Sequence, residues 1–252
     1  MTNAVLTMTN VNKVFLQADL PPKHSLKNIN LAIHPNDFIV VIGNNGAGKS
    51  TLLNTIAGNL RADSGQIEIN HQDVTKQSIA KRAQFIARVF QDPKSGTASE
   101  LTVAQNLTLA HSTNYWSFHK FQNSTELVQF ETLLASVDMG LEKFMNTQVK
   151  FLSGGQRQVV SLLMATLSQP ELLLLDEHTA ALDPKTSAKV MELTNQLITQ
   201  QQLTSLMITH NMEDALKYGN RLIMVQDGQI THDVAGPAKQ QLTQAELLTW
   251  FN

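Results

Sequence analysis

Apolar residues change their spacing several times along the chain. Phe38 to Ile42 (FIVVI) is an unbroken apolar run that stops at a glycine, the pattern of a strand buried on both faces of a parallel sheet. Leu26 to Ile33 (LKNINLAI) alternates at its end, as a strand with one wet face does. Gln84 to Phe90, Leu172 to Leu175, Ser205 to Thr209 and Arg221 to Val225 read as further strands, and helices are expected after Lys49, Gly154, Pro184 and His210. Strands alternating with helices define an α/β chain. The Asp227-Gly228 pair between RLIMV and QITHDV is a short hairpin signal, so an antiparallel piece joins a mainly parallel sheet.

Between about Asp92 and Lys150 the strand signal stops, leaving helical stretches at Leu101 to Ala110 and Glu126 to Val137. That stretch predicts a helical insert. Within it HSTNYWSFHKFQNS is polar and aromatic, and reads equally as an exposed loop that contacts a partner or as a loop packed on its own subdomain. Neither an internal repeat nor a low-complexity tract interrupts the pattern.

Composition narrows the classes. In 252 residues, 42% of them hydrophobic, there is enough apolar material for a sizeable core. With 19 Lys plus Arg against 21 Asp plus Glu, nothing in the composition suggests a protein wrapped around nucleic acid, though it leaves room for a local basic patch. With no cysteine, disulfides, thiolate nucleophiles and cysteine-ligated zinc are excluded. The opening MTNAVLTMTN does not read as an export signal, and no apolar run approaches the roughly 20 residues that cross a bilayer. A soluble chain, able to sit against a membrane protein, is expected.

The chemistry begins at Gly43-Asn44-Asn45-Gly46-Ala47-Gly48-Lys49-Ser50-Thr51, which fits G-x-x-x-x-G-K-[ST] between an apolar strand and a helix. Glycines let the backbone curl so that its N–H groups and the helix N-terminus point at phosphate oxygens. Lys49 is placed to reach the β- and γ-phosphates, Ser50 to hold Mg²⁺ and Thr51 to bind near the α-phosphate. Asp176 and Glu177 end the LLLL strand. Two carboxylates there are costly without cations, protons or water to act on, so Asp176 is the expected Mg²⁺ partner, through a water, and Glu177 the expected general base that orients the attacking water.

A second glycine-rich helix start, Leu152-Ser153-Gly154-Gly155-Gln156, has no hydrophobic strand before it and no lysine after its glycines. Alone it is half a phosphate site. It makes sense as a cap on the γ-phosphate held by another molecule, offered by Ser153, the Gly154 and Gly155 amides and a helix N-terminus.

Together these motifs resemble the nucleotide-binding subunits of ATP-binding cassette (ABC) transporters, over essentially the whole chain. The resemblance implies a single ABC ATPase domain with a P-loop NTPase (RecA-like) core and antiparallel β part over 1–91 and 161–235. It implies a helical subdomain with the signature motif over 92–160 and a helical tail over 236–252. ATP and Mg²⁺ are the implied cofactors, bound in a head-to-tail dimer of two copies around two ATP. Further residues take roles by the same resemblance: Phe15 stacks on adenine, Gln91 touches Mg²⁺ and senses the transmembrane partner, Asp183 in AALD couples the two sites, and His210 contacts the γ-phosphate. Gln156 belongs with Ser153, Gly154 and Gly155 in the signature.

The implied partners are integral membrane permease subunits, docking near Gln91, and an extracytoplasmic substrate-binding protein; no nucleic acid is expected. The implied place is the cytoplasmic face of the membrane. DEHTAALDPKT, LLMATL and THNMEDALKYGNRLIMV resemble a narrower bacterial group that takes up amino acids, tryptophan or tyrosine among them. Two departures stand out: His178 follows Glu177 where most members have proline, and VVSLLMATL follows the signature where many importers have an alanine- and arginine-rich run.

Two other classes compete. A soluble ABC ATPase in translation or DNA repair usually carries two cassettes or a long coiled coil, and neither pattern is present. A small-molecule kinase explains the phosphate loop but leaves LSGGQ without a task.

Overall fold

The computed structural model describes residues 4–17, 20–111 and 124–251. The partner-contact reading of HSTNYWSFHKFQNS therefore lies, but for its ends, outside the described residues. The chain divides into two compact units, one of residues 1–86, 170–177 and 198–252, the other of residues 87–169 and 178–197.

The first unit opens with β1 (Leu6–Gln17) and β2 (Leu20–Ile33), followed by β3 (Phe38–Ile42), α1 (Lys49–Ala57), β4 (Ser64–Ile69), β5 (Gln72–Asp73) and the short α2 (Ile79–Arg82). Four of these strands form an antiparallel sheet in the order β2-β1-β4-β5. Its inner face carries Leu6, Met8, Ile29, Ile67 and Ile69, none more than 2% exposed. At roughly 1.5–3 kcal/mol per fully buried aliphatic side chain, that face fixes which way each strand is turned. β2 is longer than the Leu26–Ile33 stretch read from the sequence, because its first half pairs with β1 through polar residues that show no apolar alternation.

β6 (Ile86–Val89) starts at the last residue of this unit and is shorter than the Gln84–Phe90 expected. The second unit then contains α3 (Val103–His111), α4 (Ser124–Ser136) and α5 (Gly154–Leu167). Buried Asn106 ties its loops together: its amide donates to the carbonyls of Ala98, Leu101 and Thr102 while its oxygen accepts from the Ala98 N–H at 2.8 Å.

The chain re-enters the first unit as β7 (Leu172–Asp176), leaves it for most of α6 (Pro184–Gln200), and finishes there with β8 (Ser205–Ile208), α7 (Met212–Lys217), β9 (Arg221–Gln226), β10 (Gln229–Ala235), α8 (Gly236–Gln240) and α9 (Gln244–Thr249). β3 lies between β9 and β8, β7 follows β8, and all four run parallel. All five residues of β3 are buried, as the continuous apolar run requires. β10 folds back antiparallel on β9 through Asp227 and Gly228, whose φ angles of 48° and 80° make the two-residue hairpin turn.

Candidate nucleotide site

The phosphate loop joins β3 to α1. Gly43 and Gly48 have φ of 148° and 113°, and a Cβ on either would stand 2.0 Å from the Val225 carbonyl oxygen or 2.4 Å from that of Ser25. Only glycine fits both positions. The loop is also held from outside, since the Gly228 N–H donates to the Ala47 carbonyl at 2.8 Å and the Gly228 carbonyl accepts from the Lys27 N–H at 2.7 Å. The Asp227-Gly228 turn, visible in the sequence as a hairpin, therefore doubles as a brace under the loop. Sequence reasoning missed this second role, because the two segments are about 180 residues apart and no local pattern links them.

Lys49 begins α1 and is buried, with its ammonium donating to the carbonyls of Gly43 at 2.7 Å and Asn44 at 3.0 Å. One of its three donors remains for a phosphate oxygen. Burial pushes this lysine below the ordinary value, and the Glu177 carboxylate pulls it part of the way back. Ser50 and Thr51 follow on α1, Ser50 exposed and Thr51 half-buried.

Asp176 ends β7. Glu177 is held just beyond, its N–H donating to the Ile208 carbonyl at 3.1 Å and its φ at 47°. A left-handed glutamate costs on the order of 1 kcal/mol, and such strain collects where a side chain has to be aimed. Its carboxylate is only 14% exposed and meets Nε2 of His210, which is 46% exposed. The first unit thus brings together the loop, Lys49, Glu177 and His210.

Phe15 lies on β1, half-buried, with the Lys13 ammonium 5.5 Å from its ring centre. Lys13 is itself paired with Asp63 at 2.9 Å.

A nucleoside triphosphate with Mg²⁺ fits this donor set. Among the described residues no group of three or more His, Cys, Asp or Glu side chains forms a metal cage. Mg²⁺ asks for less, one or two protein oxygens with phosphate and water completing its shell, and the expected ligands Ser50 and Asp176 would offer a hydroxyl and a carboxylate.

The remaining expected residues belong to the second unit. Gln91 is exposed beyond β6. Ser153 is the N-cap of α5 in a reciprocal capping box: its hydroxyl accepts from the Gln156 N–H at 3.2 Å, and the Gln156 side-chain oxygen accepts from the Ser153 N–H at 3.2 Å. S-x-x-Q is a helix-start signal readable in the sequence, and it shows Gln156 supporting the helix end as well as belonging to the signature. Gly154 is exposed. A Cβ on Gly155 would stand 2.2 Å from the Thr186 methyl, which links the signature glycines to the start of α6. Asp183 caps α6 through the Thr186 N–H at 3.1 Å, and hydrogen bonds from Thr186 hold its carboxyl below the usual range.

His178 is fully buried. Its Nε2 lies 2.9 Å from Oγ1 of Thr194, whose own proton goes to the Val190 carbonyl at 2.7 Å. The imidazole therefore carries its proton on Nε2 and is neutral, and burial pushes its pKa down to about 4.

A mostly parallel sheet with a glycine-rich loop between a buried strand and a helix, a buried lysine in that loop and a carboxylate at the end of the strand one place removed define a P-loop nucleotide-binding protein. The model of the ABC transporter family matches residues 26–180, more than half of the chain, and the chain belongs to that family. It is the family's ATP-binding cassette, an ATPase coupled to transport.

The chain is 42% identical to a tyrosine transport ATP-binding protein of Clostridioides difficile, covering 98% of each. It is 36% identical to a thiamine import ATP-binding protein of Photobacterium profundum, over 82% of this chain and 80% of the relative. Among solved structures, cbiO1 of Clostridium perfringens, part of a transporter complex, superposes with a TM-score of 0.77 at 25% identity, over 98% of this chain and 94% of the other. A dimeric cassette bound to ADP and phosphate superposes with a TM-score of 0.75 at 26% identity, over 91% of this chain and 98% of the other.

Proposed function

We propose that two copies of this chain close head to tail around two Mg²⁺-ATP and power the import of an aromatic amino acid, tyrosine or tryptophan, through separate permease subunits at the cytoplasmic face of the membrane. An extracytoplasmic substrate-binding protein delivers the cargo. The observation that carries the catalytic half is the Glu177 carboxylate, held on a left-handed backbone against His210, in the unit that also holds Lys49. The substrate half is supported by the tyrosine transport relative, similar over nearly the full length of both chains.

In this reading Glu177 orients the attacking water and takes its proton, Lys49 and the loop amides neutralise the phosphates, and His210 holds Glu177 and reaches the γ-phosphate. Mg²⁺ would be held by Ser50 and Asp176 and would supply charge stabilisation at the phosphate oxygens. Ser153, Gly154, Gly155 and Gln156 of the second copy close the site, and Asp183 couples one site to the other. Binding of ATP favours the closed pair and hydrolysis removes that preference. Among the described residues no helix is long and apolar enough to cross a membrane, which fits work handed to separate subunits.

The test is uptake. Proteoliposomes carrying this chain with the permease and binding protein encoded beside it are expected to take up labelled tyrosine or tryptophan only with internal ATP. ATP-dependent uptake of some other solute, with neither amino acid accepted, would remove the substrate assignment and leave the ATPase in place.

A further inference from the structure

Lys23 stands on β2 directly opposite Phe15 of β1, so the two side chains leave the same face of the ladder. Its ammonium reaches the phosphate loop: a Cβ built on Gly46 would lie 3.6 Å from Lys23 Nζ. Neighbouring cations are already committed, Lys13 to Asp63 and Lys49 to two loop carbonyls. Lys23 is exposed, and its ammonium joins no ion pair or hydrogen bond among the described residues. A cation uncommitted among the described residues thus sits beside the loop, on the strand that faces the ring expected to hold adenine.

We propose that Lys23 is a second phosphate-binding lysine, contacting the α- and β-phosphates of the nucleotide whose base stacks on Phe15. The assignment rests on the nucleotide-site reading above. A nucleotide spanning Phe15 and the loop carries its proximal phosphates between the two, and a flexible four-carbon stem brings the ammonium to them without moving the strand. Because the contact is made in solvent it is modest and weakens with salt. It discriminates by charge alone, so ADP feels it as ATP does and adenosine does not.

Calorimetric titration of the full chain with ATP, with ADP and with adenosine tests this in Lys23→Ala, Lys23→Glu and Lys23→Arg, with Lys49→Ala as control. At low ionic strength Lys23→Ala is expected to raise Kd for ATP and for ADP by about fivefold, Lys23→Glu by more, and Lys23→Arg by little, with adenosine unchanged. The difference should shrink towards roughly 0.5 M salt, where the screening length falls to a few ångströms. Urea midpoints equal to the parent's are expected, since the side chain is exposed. Unchanged ATP affinity in both Lys23→Ala and Lys23→Glu overturns the proposal, as does a loss confined to ATP or one shared by adenosine. If Lys49→Ala binds ATP as tightly as the parent, the nucleotide-site reading itself falls. Weakened binding in Lys49→Ala beside indifferent Lys23 variants removes only the role given to Lys23.

Discussion

At the residue scale the two neighbours Glu177 and His178 illustrate opposite uses of a polar side chain. Glu177 keeps its carboxylate at the mouth of β7 against His210. Glu177→Gln preserves shape and hydrogen bonding but cannot take a proton. It is expected to bind ATP normally and hydrolyse it about 10²- to 10⁴-fold more slowly, which single-turnover assays with labelled ATP would read. Full turnover would show that the base lies elsewhere.

His178 is sealed against Thr194. Its folded pKa of about 4 lies below the ordinary 6.5, so the unfolded chain takes up the proton first as the pH falls. Stability from the neutral ring is therefore complete above about pH 6.5 and is lost progressively towards pH 4, at up to about 1.4 kcal/mol per pH unit. Urea unfolding of the parent and of His178→Asn between these limits isolates the effect. The parent should lose stability more steeply, and parallel curves would mean that His178 titrates normally in the fold.

At the scale of elements, helix ends and turns serve structure and function together. Ser153 caps α5 and, in the proposed dimer, faces a phosphate. Ser153→Ala should remove both, at about 1 kcal/mol of stability. Ser153→Asp keeps a good cap while setting a negative charge towards the phosphate, so it should unfold like the parent in urea yet lose ATP-driven dimerisation on a sizing column. Equal dimerisation by Ser153→Asp and the parent would confine Ser153 to capping.

The Asp227-Gly228 turn is a brace of the same double kind. Gly228→Ala would press a Cβ to 3.0 Å from the Ser25 carbonyl at a φ of 80°. It is expected to weaken ATP binding although it lies far along the chain, measurable by the same calorimetry; unaltered affinity would make the turn a hairpin and nothing more.

Legibility followed locality. β3, β7 and β9 were readable because continuous apolar runs between glycines, acids and turns have one physical solution in a parallel sheet. The phosphate loop, Asp176 and Glu177 were readable because each motif is contiguous. β1 was not legible, since LTMTNVNKVFLQ mixes asparagines and threonines with apolar residues and its pairing shifts register near Asn10 and Asn12. Contacts such as Gly228 with Ala47, Lys23 beside Gly46, and His178 with Thr194 join positions that no period or motif relates, and only the folded chain shows them.

At the scale of the whole molecule, the proposed dimer makes a quantitative claim. If each site takes its phosphate loop from one copy and its signature from the other, a Lys49-altered chain spoils one half and a Ser153-altered chain the other. Paired together, they give one site with both defects and one with neither. In an equal, freely exchanging mixture of Lys49→Ala and Ser153→Asp chains, only a mixed pair has an intact site, one of its two, so the fraction of whole sites is half the share of chains found in mixed pairs. Hydrolysis by the mixture should therefore rise well above either variant alone, towards that fraction of the parent rate if the sites act independently, and less if Asp183 couples them. The Ser153→Asp chain suits this measurement because its helix cap is retained, so a low rate reports the interface rather than a damaged fold. If native mass spectrometry shows mixed pairs forming with ATP while the rate stays at the level of the separate variants, the two motifs do not share a site across the dimer.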